Sequence, residues 1–149
     1  MNSLKENLYQ QCMQYVLKRI AVAEEGIRDA QQAQNDDTKS SAGDKYETGR
    51  EMAQQETNRY LVQLDEANKL KVALNTIGHG ITEIASPGSV VYTNNGNFYL
   101  SISAGQLMAE GKSFYAVSPA SPIGMQLMNK KAGEQIAVNG KTYEILAVE

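Results

Sequence analysis

The chain has 149 residues, a formal net charge of −3 and 42% hydrophobic content, enough for one domain or two small ones. The acidic balance argues against a general nucleic-acid binder, which needs a basic excess to neutralise phosphates. A lone cysteine, Cys12, excludes a disulfide framework and a cysteine metal site, and no apolar run approaches the ~18 residues of a membrane span. The expectation is a soluble protein of the reducing cytoplasm, with no membrane partner.

Residues 1–76 hold no proline and three glycines, whereas residues 78–149 hold all three prolines and nine of the twelve glycines. The first part is therefore expected to be helical and the second β-rich. A first helix is predicted from Ser3, as N-cap, to about Gln34. Leu4, Leu8, Cys12, Val16, Ile20, Ala23, Ile27 and Ala30 recur at spacings of three and four and mark one face of it. A second helix is predicted from near Asp44, with Tyr46, Ala53, Tyr60, Ala67 and Leu74 at intervals of seven and Leu64 and Leu70 nearby, a heptad seam. Joined by a loop, the two make an antiparallel coiled coil about 45 Å long at 1.5 Å per residue. The alternative is an ordinary hairpin serving as spacer or dimeriser. The break from Asn35 to Asp44 is longer than the roughly two to five residues that a helical connection needs, and long loops tend to carry function.

Past Gly78 the hydrophobic period changes. Ser89 to Thr93 is predicted as a strand, Asn94-Asn95-Gly96 as a hairpin turn, and Asn97 to Ser103 as the returning strand, with Phe98, Leu100 and Ile102 on one face. Lys112 to Ser118 is a third strand. Ser121 then caps a short helix with Pro122 at its first position, carrying Ile123, Leu127 and Met128 inward and ending near Lys131 to Gly133. Residues 134–138 and 141–148 close a last hairpin around Asn139-Gly140, a type I′ signal. The fold class expected is α+β: a hairpin over residues 1–76 with its tip at about 35–44, a linker over 77–88, and an antiparallel sheet with one short helix over 89–149.

The C-terminal run Ser118-Pro119-Ala120-Ser121-Pro122-Ile123-Gly124-Met125-Gln126-Leu127-Met128, then Gly133-Glu134, then Tyr143-Glu144-Ile145-Leu146, resembles the end of the GreA/GreB transcript-cleavage factors of bacterial RNA polymerase. In that family a Ser-Pro-Leu/Ile-Gly turn, a short apolar helix, a Gly-Asp/Glu pair and a terminal Tyr-x-Ile strand follow in this order. Tyr46 and Arg50-Glu51 are similar to the Tyr-x-x-Ala-Lys-Glu that opens the family's second helix, and Asp36-Asp37 lies where its tip acids begin.

The resemblance implies an FKBP-like C-terminal domain that docks on RNA polymerase and a coiled coil that enters the secondary channel. There the tip acids would reach the polymerase active site, hold Mg²⁺ jointly with it, and meet the nascent RNA 3′ end only indirectly. It implies catalytic roles for Asp36, Asp37 and Asp44, metal contact through Asp37 and Asp44, and support from Ser40, Ser41, Tyr46 and Glu47. Mg²⁺ suits this because it takes one or two carboxylates and keeps several waters. The chain departs from the family where a second acid is expected, since Ser40 or Ser41 falls there, and a hydroxyl brings no negative charge. Asp44 is also read as the N-cap of the second helix, with Glu47 completing a capping box.

Three functions are open to such a chain: a factor stimulating cleavage of backtracked RNA by the polymerase, probing as a monomer; a non-cleaving regulator or inhibitor using the same channel; or a dimeric α+β protein-binding module. His79, with no second His or Cys near it, reads as a linker residue, and Cys12 as a buried, inert thiol. Lys18, Arg19, Lys69 and Lys71 read as a solvated basic patch along the arm.

Overall fold

A computed structural model describes the backbone of residues 3–40 and 44–149, and the side chains of these except for 36–40 and 44–47. Two helices come first, α1 (Ser3–Ser40) and α2 (Asp44–Thr76). Then follow β1 (Val90–Thr93), β2 (Gly96–Leu100), β3 (Gly105–Ala109), β4 (Lys112–Val117), α3 (Pro122–Leu127), β5 (Gln135–Val138) and β6 (Lys141–Val148). The chain packs as two compact units, Met1–Tyr15 with Val72–Glu149, and Val16–Lys71.

The first helix runs past its predicted end at Gln34 and through Ser40, so three residues separate the helices rather than a loop spanning 35–44. No glycine or proline intervenes between Gly26 and Gly43. Asn, Asp, Thr and Ser each disfavour a helix by only tenths of a kcal/mol, too little to stop one already propagating.

The unit Val16–Lys71 is the body of a helical hairpin. Val16, Ala23 and Ala30 of α1 and Ala53, Thr57 and Ala67 of α2 are buried, and the predicted Ile20, Ile27, Tyr60 and Leu64 are half-buried beside them. A Cβ added to Gly26 would meet the Tyr60 ring, which places the two helices in direct contact there. Thr57 takes an apolar seam position because its hydroxyl donates to the Ala53 carbonyl at 2.9 Å, leaving the methyl for packing.

In the other unit the strands form one six-stranded sheet in the order β3-β4-β2-β1-β6-β5. The β2/β4 pair is parallel and the rest are antiparallel, whereas the sequence suggested antiparallel pairing throughout. The difference follows from β3, which the periodicity did not reveal. It reverses the chain between β2 and β4 and returns through Glu110 and Gly111, both at positive φ (53° and 74°). At the last hairpin Asn139 and Gly140 take φ 53° and 77°, as a type I′ turn requires.

One sheet face carries the core of Val91, Phe98, Leu100, Leu127, Ile136 and Ile145, with Ala85 from the segment before β1. The opposite face carries Val90, Tyr99, Leu107, Phe114 and Ala116. The root of α1 belongs to this unit: Leu4, Leu8 and Cys12 are buried, Cys12 Sγ lies 3.5 Å from Ser101 Oγ, and Gln11 donates to the Met108 carbonyl at 2.8 Å. Packing therefore divides the chain at residues 15/16 and 71/72, while composition changes near residue 77. Leu4 and Leu8, the leucines of the α1 stripe, sit at the helix root and serve the sheet unit.

The segment 77–88 is fastened throughout. Gly78 N–H bonds the Pro87 carbonyl at 3.1 Å, Ala85 exchanges hydrogen bonds of 2.8 Å with Asn129 and Lys130, and Lys5 Nζ donates to the Gly80 carbonyl at 2.7 Å. Burial lowers the Lys5 pKa below its ordinary 10.5, and the charge of Glu149 works in the other direction.

Candidate functional site

The Ser118–Gly124 turn folds as its sequence dictates. Ser121 has the extended backbone of an N-cap (φ −72°, ψ 159°), its Oγ accepts from Gly124 N–H at 3.1 Å, and its hydroxyl donates to the Ser118 carbonyl at 2.6 Å. Pro122 occupies the first turn, where no N–H is needed. Gly124 is required for a steric reason: a Cβ there would run into the Ser118 carbonyl and crowd Ser121 Oγ. The helix stops at Leu127, short of the predicted Lys131 to Gly133, because Met128 leaves helical ψ (135°) and Asn129 turns left-handed at φ 67°. Asn tolerates that conformation better than other non-glycine residues.

The capped helix forms one wall of a cleft of about 340 Å³, lined by Phe98, Pro122, Ile123, Val138, Asn139, Lys141 and Tyr143. Phe98 and Tyr143 meet edge to face with ring centroids 5.8 Å apart, and Tyr115 continues the aromatic row 6.2 Å from Phe98. Lys141 Nζ stands 5.8 Å from the centre of the Tyr143 ring, within cation–π reach. An apolar floor with one cation and one amide at the rim suits an apolar side chain of a partner better than a polar metabolite, which needs several convergent polar groups. The sequence places Ile123 inward and Tyr143 on the last strand without bringing them together. The signal was present in the strong Asn139-Gly140 turn, which fixes the register Ile136 to Tyr143 and Val138 to Lys141.

The acids predicted at the hairpin end are placed by backbone alone. Asp36 and Asp37 fall near the C-terminal end of α1, Ser40 is its last residue, and Asp44, Tyr46 and Glu47 open α2. The side chains of Asp36, Asp37, Ser40, Asp44, Tyr46 and Glu47, and all of Ser41, lie outside the described residues. Among the described residues no group of three or more His, Cys, Asp or Glu side chains is placed to hold a metal ion. A groove of about 460 Å³ on the hairpin unit is lined by Ala33, Gly49, Met52, Ala53, Gln55, Glu56 and Arg59. Its two charged residues pair with each other at 3.4 Å.

His79 packs edge-on against Tyr9, with centroids 4.9 Å apart. Cys12 is buried, and burial raises its thiol pKa, in keeping with an inert sulfur. Lys69 of the basic patch pairs with Asp65 one turn away at 3.1 Å, and both are well exposed. No described helix is long and apolar enough to cross a membrane.

No family model matches the chain, and no curated protein does. Among solved structures it is similar to GreA factor homolog 1 (Gfh1) of Thermus thermophilus, at 19% identity and a TM-score of 0.36, over 95% of this chain and 94% of that one. It is also similar to a structure of the transcription factor Gfh1, at 21% identity and a TM-score of 0.35, over 94% and 92% of the respective chains.

Proposed function

We propose that this chain is a cytoplasmic transcription elongation factor that docks on RNA polymerase through its C-terminal unit and inserts the α1–α2 hairpin into the secondary channel, where it stimulates cleavage of backtracked RNA. One combination of features carries the reading: a long helical hairpin closed by only three residues, on the same chain as the Ser121-Pro122-Ile123-Gly124 turn. Within the unit Val16–Lys71 the two helices span about 40 Å at 1.5 Å per residue, an arm suited to entering a channel. The chain works as an accessory factor. Asp36, Asp37 and Asp44 are its reactive groups, with Ser40, Ser41, Tyr46 and Glu47 in support.

Carboxylate oxygens are the donor type that Mg²⁺ takes, so Asp37 and Asp44 would hold the ion jointly with the polymerase. When bound, the ion supplies charge neutralisation at the attacking and leaving oxygens. The residues of this chain bring negative charge to a helix end. Asp36 and Asp37 sit near the carbonyl end of α1, where the helix dipole disfavours anions and a cation relieves the cost, whereas Asp44 at the start of α2 is favoured by that dipole.

A second reading, a channel-occupying regulator that does not cleave, is favoured by Ser40 or Ser41 falling where the resembled family has its second acid. One experiment decides: gel-resolved RNA cleavage in a stalled, backtracked elongation complex, with and without the protein. Faster release of the 3′ fragment, abolished in Asp37→Ala and Asp44→Ala, supports the cleavage factor. Binding with slowed or unchanged cleavage supports the regulator, and absence of binding defeats both.

A further inference from the structure

We infer that Lys5 is a positioning residue: it clasps the open end of the helical hairpin, joining the first turn of α1 to the segment that follows α2, and the placement of the tip depends on that clasp. The inference rests on the cleavage-factor reading for its consequence, and on the contacts at the helix roots alone for the clasp.

At the tip the chain itself joins the two helices, through three residues. At the other end nothing covalent joins them: α1 begins at Ser3 and α2 ends at Thr76. Lys5 bridges that end, donating from Nζ to the Gly80 carbonyl at 2.7 Å across 75 residues of chain. Tyr9, one turn further on the same face of α1, meets the same stretch: its ring packs against His79, and its hydroxyl lies 3.5 Å from Asn75 Oδ1. Packing offers no other hold next to this bond. A Cβ on Gly80 would meet no atom within 4 Å, and Ile81 is 71% exposed.

Lys5 is only 2% exposed, so its ammonium is not carried out to water as that of a surface lysine is. A methionine of similar length would fill the same space without the desolvation penalty, and such apolar replacements of buried charge are often neutral or stabilising. What methionine lacks is a directional bond to one backbone carbonyl beyond α2. Play at the root matters because the arm is long. A rotation of about 5° there carries the far end of a ~40 Å arm through roughly 3 Å, whereas misplacing reacting groups by about 1 Å can cost a hundredfold in rate.

Two measurements on the full chain test this, with Lys5→Met and Lys5→Arg. The first, hydrogen exchange, needs no polymerase. The Ile77 and Gly78 amides, hydrogen-bonded beside the clasp, should exchange roughly tenfold faster in Lys5→Met, with protection of β1 and β2 unchanged. Lys5→Arg, which keeps a donor, should exchange as wild type does. Unchanged or slower exchange at Ile77 and Gly78 in Lys5→Met, the behaviour of a lysine that only fills space, overturns the inference. So does a loss of protection shared equally by β1 and β2, which would make Lys5 a residue of general stability. The second measurement is RNA cleavage in the backtracked elongation complex. Lys5→Met should lower the maximal rate of 3′-fragment release roughly tenfold while leaving the protein concentration for half-maximal rate unchanged, and Lys5→Arg should restore the rate. If wild type stimulates cleavage and Lys5→Met matches it, the inference fails and the cleavage reading stands. If wild type does not stimulate cleavage, that reading fails, and hydrogen exchange still decides the clasp.

Discussion

Gly26 of α1 lies against the ring of Tyr60 of α2: a Cβ on Gly26 would come within 2.5 Å of the ring carbon Cε1. A glycine in mid-helix ordinarily disfavours the helix by about 1 kcal/mol relative to alanine. Here it provides the room for the Tyr60 ring. Gly26→Ala is therefore expected to destabilise the hairpin, because overpacking costs about 1–3 kcal/mol and outweighs the propensity gain. Urea melts followed by helical circular dichroism should place Gly26→Ala about 1 kcal/mol below wild type. In the Tyr60→Ala background the same change should be stabilising, an inversion that a double-mutant cycle reads directly. If alanine stabilises in both backgrounds, ring-over-glycine packing is not what sets the helices' approach.

The turn before α3 makes an opposite pair of demands. Removing the Ser121 hydroxyl loses the cap bond from Gly124 N–H and the bond to the Ser118 carbonyl and should cost about 1–2 kcal/mol, whereas Gly124→Ala places a methyl on the Ser118 carbonyl and forces the backbone to move. Gly124→Ala is expected to cost about 3 kcal/mol or more, and to displace Pro122 and Ile123 from the cleft. Equal costs for the two variants in thermal unfolding would mean that the turn relaxes easily and that the glycine is incidental.

Most of this architecture was legible in the residues because its signals are local. Period-three-and-four spacing gave α1, the interval of seven gave α2, Ser121-Pro122 gave the start of α3, and Asn139-Gly140 gave the last hairpin with its register. What escaped depends on partners distant in sequence. β3 has the weakly patterned strand Gly105–Ala109 and exists because β4 pairs with it along its length. The parallel β2/β4 pairing then follows from that weakly patterned strand. The root of α1 looked like coiled-coil seam, since Leu4, Leu8 and Cys12 have the same spacing whether they face a helix or a sheet. The cleft was missed for a related reason: Phe98, Ile123 and Tyr143 are ordinary core residues one at a time, and only the closure of β5 and β6 beside α3 leaves them partly open.

Alkaline pH should loosen the β-rich unit in a defined window. Burial, then the charge of Glu149 and the hydrogen bond from the Tyr92 hydroxyl to Glu149 Oε2 (3.4 Å), push the Tyr92 phenol up to about 12 from its ordinary 10.0. Burial raises Tyr99 in the same direction. A folded-state pKa above the unfolded value means that the unfolded chain loses its proton first. The stabilising contribution is therefore complete below pH 10 and is lost as pH rises through about 12. Midpoint urea concentrations should fall as pH rises above 10, with a shallower fall in Tyr92→Phe. A Tyr92→Phe profile that superimposes on wild type would show that this phenol does not govern the alkaline limb.

Cys12 offers a reporter for the seating of the α1 root. Its sulfur is fully buried, burial raises the thiol pKa above the ordinary 9.0, and the contact with the Ser101 hydroxyl at 3.5 Å only partly offsets this. Thiolate is the reacting species, so both access and ionisation hold the group back. Reaction with a disulfide reagent should therefore be slower in the native protein than in the denatured chain by on the order of a hundredfold or more, with a rate set by local opening. Ser101→Ala should leave that protection largely intact, because access and not the hydrogen bond controls the rate. Leu8→Ala should instead accelerate labelling, since it opens a cavity one turn from Cys12 and costs about 2–5 kcal/mol of packing. Fast labelling of the native wild-type chain would mean that the helix root leaves the sheet readily. The first fifteen residues would then belong with the hairpin, as composition alone suggests, rather than with the strands on which Cys12 and Gln11 make their contacts.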